Sequence, residues 1–500
     1  MIGIVLLLAL VVAMIYDYIY PRYLYPYRAR KLGAEPPTEH LSWPFGIPAG
    51  FGFLKEARQL RQMETSLEFS HGPTKTVVSQ AFGSHIIVTR DPEVIKAMLS
   101  TQFADFGLAN RYKVLYPLLG DGIFTSDGPH WKSSRTLLRP LFMRERVSNL
   151  KMMEHHVQSL FKVIDGWNGQ PGNVQTQFRL LTRDTALHFL FGVDMDSLAG
   201  VEQYFEIRGG EKISGTELTD AIRVAAGWLG VRAKLMQLYW LASPPQMWKA
   251  VKICHAFVDK VIETAKTKDK LEDDAEYSFV ADLCQYTSDS KLIRDQAFSI
   301  FVAGFGTTSS LMSHLCMHLA ATKRWKKLRE HVLHDIGTDP SAVTFETLKS
   351  CKYLQWCINE SLRMHPNVPL NLRRARRDIV LPTGGGVDGK SPLFIPKGRD
   401  IVYHVLALHH DFDIWGKDAD EYIPERWDNL KVPSWCYIPF NGGPRVCLGQ
   451  QFALTEAAYV LCRLVQEYDD LIGPGYDAYK FRFSLTIAIE PGVTVKFVRS

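Results

Sequence analysis

Phe440-Asn441-Gly442-Gly443-Pro444-Arg445-Val446-Cys447-Leu448-Gly449 decides how the rest of this chain of 500 residues is read. Gly443, Pro444 and Gly449 surround one cysteine and are poor helix formers. Apolar, alanine-rich sequence from Phe452 to Leu464 then predicts a helix. A cysteine on a loop just ahead of a helix N-terminus sits where the macrodipole and free N–H groups stabilise a thiolate, and Arg445 adds a positive charge two residues away. Such a thiolate suits a metal. A lone cysteine before a helix is more often a buried structural one, so the weight falls on the pattern around it.

One axial thiolate is how some haem enzymes hold iron so that electron density favours O–O cleavage. The whole string Phe-x-x-Gly-x-Arg-x-Cys-x-Gly resembles the haem-binding signature of the cytochrome P-450 superfamily. The resemblance implies that Cys447 is the axial metal ligand to haem b, that Phe440 packs near the sulfur and that Arg445 pairs with a haem propionate. It also implies a fold that is mainly α with a minor β portion.

Other strings extend the resemblance along the chain. His130-Trp131-Lys132-Ser133-Ser134-Arg135 opens a helical pattern in which Trp131 and Arg135 share one face. Alone this is more often a surface cation–π pair; the resemblance implies propionate contacts. Ala303-Gly304-Phe305-Gly306-Thr307-Thr308 lies inside a long apolar stretch, Leu292 to Thr322. Glycines and threonines there cost helix stability. A threonine hydroxyl can bond the carbonyl one turn back and open the groove, and Gly304 lets a flat cofactor approach the backbone. The string resembles the superfamily's oxygen-binding helix, which makes Thr307 the proton-relay hydroxyl. Gly306 departs from the pattern, standing where an acid is expected. Glu360-Ser361-Leu362-Arg363 and Pro424-Glu425-Arg426-Trp427 resemble the parts of a structural triad of Glu360, Arg363 and Arg426. Leu370-Asn371-Leu372-Arg373 reads as a strand; the resemblance implies that it lines the pocket, with Arg373 near a propionate.

The chain is 46% hydrophobic, enough for a large core, and its formal charge of +5 calls for no nucleic-acid partner. Eight scattered cysteines form no Cys-x-x-Cys pair, which suits a reducing, cytosol-facing compartment. Ile2 to Tyr16 is almost wholly apolar. Tyr16, Tyr18 and Tyr20 suit a membrane interface, and Arg22, Arg28, Arg30 and Lys31 place that side in the cytosol. No positive residue precedes the run and no small-residue cleavage site follows it, against a cleaved signal peptide. The expected organisation is an anchor over 1–20, a basic, proline-bearing connector over 21–48 and a catalytic domain over 49–500.

Short strands are expected between Val77 and Val88, a capped helix from Asp91 to Leu99 and long helices through the middle of the chain. Gln203 to Gly215 is expected to be mobile, and Phe481 to Val498 to form a hairpin bending at Pro491-Gly492. Gly384-Gly385-Gly386-Val387-Asp388-Gly389-Lys390-Ser391 satisfies a phosphate-loop pattern. That loop needs a helix immediately after it. Pro392 and Pro396 forbid one, so the segment reads as a turn between strands.

The resemblance implies a monooxygenase in the endoplasmic reticulum membrane, single-pass, with its catalytic domain facing the cytosol. It would use O2 and take electrons from NADPH through NADPH–cytochrome P-450 reductase, with cytochrome b5 as an optional donor. Membrane lipid and a small apolar substrate complete its partners. Val368 to Arg373, Leu381 to Pro392 and Phe440 to Ala457 resemble the fungal branch that hydroxylates n-alkanes and fatty acids. Phe301, Phe305, Val368, Leu370, Leu372 and Leu485 are the candidate pocket residues, all apolar. A specialised-metabolite intermediate such as a polyketide or terpenoid stays open as substrate. So does a non-monooxygenase reaction (isomerase, dehydratase or peroxide-dependent), which Gly306 favours. A non-enzymatic membrane or nucleotide-binding protein is opposed by the cysteine signature.

Overall fold

The long apolar stretch folds as one unbroken helix, Ser290–Ala321, the central helix of the body. Asp289 caps it by accepting from the N–H groups of Lys291 and Leu292. The computed structural model describes residues 2–142, 150–200, 202–267 and 278–499. Around the central helix lie the helices Val174–Phe191, Pro245–Thr267, Lys352–Met364 and Gln450–Glu467. Leu311, Leu315 and Leu319, at helical spacing, share one core with Leu354, Ile358 and Leu461. Phe298 and Phe301, further towards its N-terminus, join a second core with Leu187, Phe191 and Phe257. Each such buried side chain contributes ~1.5–3 kcal/mol, so a helix buried on nearly every side needs no polar face. The central helix is long and apolar enough to cross a membrane, but its burial marks it as a core element.

Beside the helices lies a six-stranded sheet, in the order Thr38–His40, Thr76–Ala81, Ser84–Thr89, Asp400–His404, Leu370–Ala375 and Phe106–Gly107. Ser84–Thr89 runs parallel to Asp400–His404, which pairs antiparallel with Leu370–Ala375. Strand periodicity puts Leu370 and Leu372 on one face and Asn371 and Arg373 on the other. Asp91 caps the helix that begins at Pro92.

The N-terminal helix, Ile2–Ile19, is exposed along most of its length and joins a π turn at Tyr20–Leu24 and a short helix, Tyr25–Lys31. Pro21 enters this turn, where its missing N–H is tolerated by the wider hydrogen-bond spacing. Parts of the segment 21–48, expected as a connector, pack onto the body. The Tyr25 ring stacks on Phe394 and its hydroxyl donates to the Phe394 carbonyl at 2.8 Å. Thr38–His40 supplies the sheet's edge strand, because Pro36 and Pro37 leave the chain extended beside Gly386 and Leu393.

Gln203 to Gly215, expected to be mobile, contains a hairpin of Tyr204–Glu206 and Lys212–Ser214, with Gly209 and Gly210 supplying positive φ at its turn. The C-terminal hairpin joins Lys480–Phe483 to Ile487–Glu490 through Ser484–Thr486. The expected bend at Pro491-Gly492 instead leads into Thr494–Val498, which pairs with Asp470–Ile472 and Gly172–Asn173. Proline lacks the N–H that would continue the first ladder. The glycine-rich stretch Gly384–Ser391 spans the link between two antiparallel strands, Ile379–Gly385 and Ser391–Ile395.

Candidate active site

The cysteine loop is held by its own backbone. Cys447 N–H donates to the Phe440 carbonyl at 3.0 Å, and Asn441, at positive φ, donates its side-chain amide to the Arg445 carbonyl at 3.0 Å. Gly443, also at positive φ, packs so tightly that a Cβ there would lie 2.0 Å from the Leu99 carbonyl oxygen. Of the eight cysteines, Cys447 has the accessible side chain; the others are buried or half-buried. Protein nevertheless surrounds it, and burial pushes its thiol up, against the lowering effects of the Gly449 and Gln450 N–H groups and of Arg135. An accessible yet enclosed sulfur faces an internal hollow. The positive charge that acts on it is Arg135, whose guanidinium donates to the Val446 carbonyl at 3.0 Å, rather than Arg445.

The central helix opens onto a hollow as well. Between Phe301 and Thr308, both buried, residues 302–307 are half-buried. A Cβ added at Gly304 or Gly306 would meet no heavy atom within 4 Å. The Thr307 hydroxyl donates to the Ala303 carbonyl at 2.7 Å, and Thr308 to the Gly304 carbonyl at 3.1 Å. The helix is continuous through these residues. Thr182 of the neighbouring helix donates to the Phe305 carbonyl at 2.8 Å.

A cluster of buried guanidiniums gathers Arg111, Arg373 and Arg445. Burial pushes Arg111 and Arg445 down to about 10, and each lies close enough to Arg373 to be lowered further by it. Asp127 accepts from Arg445 at 2.8 Å and pairs with Arg376 at 2.8 Å. Asn371 accepts from Arg111 at 2.7 Å. The Arg373 Nε–H, buried, has no partner among the described residues. Arg445 lies 4.3 Å over the Trp131 ring, which fixes Trp131 beside this cluster. Arg135, 6.0 Å from the same ring, reaches from its helix to the cysteine loop.

The structure brings Glu360, Arg363 and Arg426 together behind the cysteine loop. Glu360 accepts from Arg363 at 2.9 Å on both oxygens, from Arg426 at 2.9 Å and from the Trp427 indole at 2.9 Å. Arg363 spends its remaining donors on the carbonyls of His409, Ala419 and Glu421. The pair is fully buried, and every donor that matters is satisfied.

Of the pocket candidates, Phe305, Val368, Leu370 and Leu372 are half-buried. Leu485 is exposed in the turn between the last hairpin's strands. Phe301 is buried against the rings of Phe191, Phe298 and Phe305.

The family model described as Cytochrome P450 matches residues 44–482. The chain belongs to the cytochrome P450 family. Cytochrome P450 52E1 of Candida apicola is 40% identical to this P-450 over 97% of the chain and 96% of its own length. Cytochrome P450 52A4 of Candida maltosa is 42% identical over 85% of the chain and 81% of its length. Cytochrome P450 52-E3 of Starmerella bombicola is 39% identical over 97% and 96%. The protein is therefore a haem-thiolate monooxygenase of the P-450 fold. Haem is its cofactor, with O2 and NADPH used through a reductase as is general in the family.

Haem fits the P-450's own residues. Buried guanidiniums in excess of carboxylate, one with an unpartnered N–H, leave positive charge that a doubly anionic macrocycle edge would offset. The hollow beside Gly304 and Gly306 and the accessible sulfur supply a face and a ligand. Sequence reading missed Arg111, Asp127 and Asn371. Arg111 stands at the start of a short helix with no motif around it, and only the fold carries it to Arg373.

Proposed function

We propose that the P-450 inserts one oxygen atom into a C–H bond of a long-chain aliphatic substrate. The observation that supports this is the chemistry around the open stretch of the central helix. Phe305, Val368, Leu370 and Leu372 are apolar, half-buried and free of titratable groups. Burying a chain against them gains ~0.8 kcal/mol per methylene, so no charged anchor is needed. Spectral titration with a fatty-acid and n-alkane series tests it, and affinity should rise with chain length. No spin shift with any member, beside a clear shift with a cyclic polyketide or terpenoid scaffold, would overturn it in favour of a specialised-metabolite intermediate.

In this reading Cys447 ligates the iron, with Phe440 packed near the sulfur. Arg111, Arg373 and Arg445 hold the haem propionates, beside Trp131, and Arg135 steadies the cysteine loop. Gly304 leaves room for the macrocycle. Thiolate-ligated haem, when bound, supplies the chemistry that cleaves O2. The Thr307 hydroxyl holds a proton at the open face of the helix, and Gly306 leaves it without a neighbouring acid. Gly306 also favours a second reading, isomerase, dehydratase or peroxide-dependent chemistry, for which product formed without NADPH oxidation would be the sign.

NADPH–cytochrome P-450 reductase is the proposed electron donor, with cytochrome b5 an optional second. Ile2–Ile19 is proposed as a single-pass anchor in the endoplasmic reticulum, and the arginines after it put the catalytic domain in the cytosol. Removing residues up to Tyr20 should release the protein from membranes. Full-length protein that washes off in high salt would refute the anchor.

A further inference from the structure

Where the N-terminal helix meets the body, its last turns roof a cavity of about 480 Å³. Tyr16, Asp17 and Tyr20 line one wall, and His85, Lys397 and Arg399 line the other. Asp17 is buried and committed: one carboxylate oxygen accepts from Phe45 N–H at 2.8 Å, the other from the Gln80 amide at 2.6 Å. Two further charged residues in the wall neutralise each other, Arg374 donating to Asp400 at 2.6 and 2.7 Å. His85 is kept neutral by burial and by Arg399.

Against Asp17, whose charge is met only by neutral donors, stand two cations that form no ion pair. The Arg399 guanidinium lies over the rings of Tyr20 and Tyr25, at 5.9 and 5.6 Å, and forms no hydrogen bond or ion pair among the described residues. The Lys397 ammonium forms none either, although its backbone N–H is held by Asp378. Glu39 influences Arg399 from outside the cavity but does not pair with it, and burial pushes that carboxyl up. A half-buried guanidinium resting on aromatic faces keeps its planar fork of donors free, the geometry that matches a phosphate.

The position names the source of the phosphate. Tyr16 in the cavity wall stays exposed, as do Tyr18, next to the lining residue Asp17, and Trp43, whose rings meet edge to face at 6.5 Å. Exposed aromatic rings at the end of an apolar helix sit at headgroup level in a bilayer. We infer that this cavity binds the phosphate of a membrane phospholipid headgroup through Arg399 and Lys397, with the acyl chains lying along the exposed face of Ile2–Ile19. The inference rests on the membrane-anchor reading.

Native mass spectrometry of the full-length haem-loaded protein in detergent micelles tests it. The probes are dioleoyl phosphatidic acid, dioleoyl phosphatidylcholine and, lacking phosphate, dioleoylglycerol. One phosphate-bearing lipid should be retained at least tenfold more tightly than dioleoylglycerol. Lys397→Glu, an exposed substitution, and Arg399→Gln should each weaken that preference about tenfold, and Arg399→Lys should restore part of it. Arg30→Gln with Lys31→Gln, basic positions outside the cavity, should leave it unchanged. Equal retention of dioleoylglycerol, or a preference indifferent to Lys397→Glu, overturns the site. Displacement of the lipid by millimolar inorganic phosphate overturns the lipid assignment in favour of free phosphate. Vesicle flotation reads the anchor separately: wild type and both cavity variants should float alike. A carbonyl difference spectrum confirms that each variant is folded and loaded.

Discussion

The hydroxyl of Thr307 donates to the carbonyl of Ala303 at 2.7 Å, one turn back along the central helix. Next to it, Gly306, like Gly304, presents open space in place of a side chain. A proton held at Thr307 therefore has no acid beside it on the helix.

Thr307→Ala should lower product formation about 100-fold relative to NADPH consumed, with the deficit recovered as peroxide. Gly306→Asp should shift the ratio the other way, and its side chain enters open space without displacing a neighbour. Both are read from product, peroxide and NADPH measured together. Unchanged coupling and an unchanged solvent isotope effect in Gly306→Asp would show that this position does not control delivery.

Gly443→Ala should abolish haem incorporation. The added Cβ falls 2.0 Å from the Leu99 carbonyl oxygen and the residue sits at φ +65. Neither backbone can give way without moving the loop that carries Cys447, a cost of roughly 2–4 kcal/mol. The carbonyl difference spectrum of the purified variant checks this. Gly475→Ala, outside the site and meeting no neighbour, should remain folded and loaded and serve as the comparison.

Arg111→Ala should speed haem loss. A hydrogen bond to a charged group contributes ~1.5–3 kcal/mol, which corresponds to about 10- to 100-fold in dissociation rate. Transfer of haem to a scavenging apoprotein gives the rate directly. Arg135→Ala, by contrast, should disturb the spectrum around the thiolate more than it speeds transfer, because its guanidinium holds Val446.

Stability should fall with pH in a window set by buried histidines. His314 donates from Nδ1 to the Ser310 carbonyl at 2.7 Å, and burial pushes it down to about 4. His318 and His365, joined at 3.0 Å, are driven well below the usual histidine range by burial and by neighbouring histidines. Each takes up a proton near 6.5 when unfolded but only at lower pH when folded. Stability is therefore complete above 6.5 and lost as pH drops towards 4, at ~1.4 kcal/mol per pH unit for each histidine. Glu425, held down to about 2 mainly by Lys327 and Arg324 against the opposing effect of burial, loses its contribution only below its unfolded value near 4.5. Denaturant midpoints between pH 7 and 5 test this, and His314→Phe should flatten the slope by about one histidine's share.

What the sequence by itself determined is the local chemistry whose parts lie within one turn or loop. Phe440 to Gly449 needs glycine and proline at set places to fold back on Cys447. Glu360 and Arg363, three apart on a helix, pair wherever that helix forms. The apolar run of the central helix specifies a long helix shielded from water, and the prolines after Gly384–Ser391 exclude a phosphate loop.

Relationships between distant segments were decided by tertiary structure, because charge and accessibility depend on what the fold brings near. Arg111 and Arg373 are separated by most of the chain and have no pattern in common, yet burial makes them neighbours. Arg135, rather than Arg445, is the cation that acts on Cys447, since a helix face and a loop carbonyl settle where each guanidinium points. The three rings that Phe301 packs against, those of Phe191, Phe298 and Phe305, come together only in the fold. Tyr25 shows the same limit: nothing local distinguishes it from Tyr23 or Tyr27, and only the Phe394 ring and carbonyl, 369 residues away, make it part of the body.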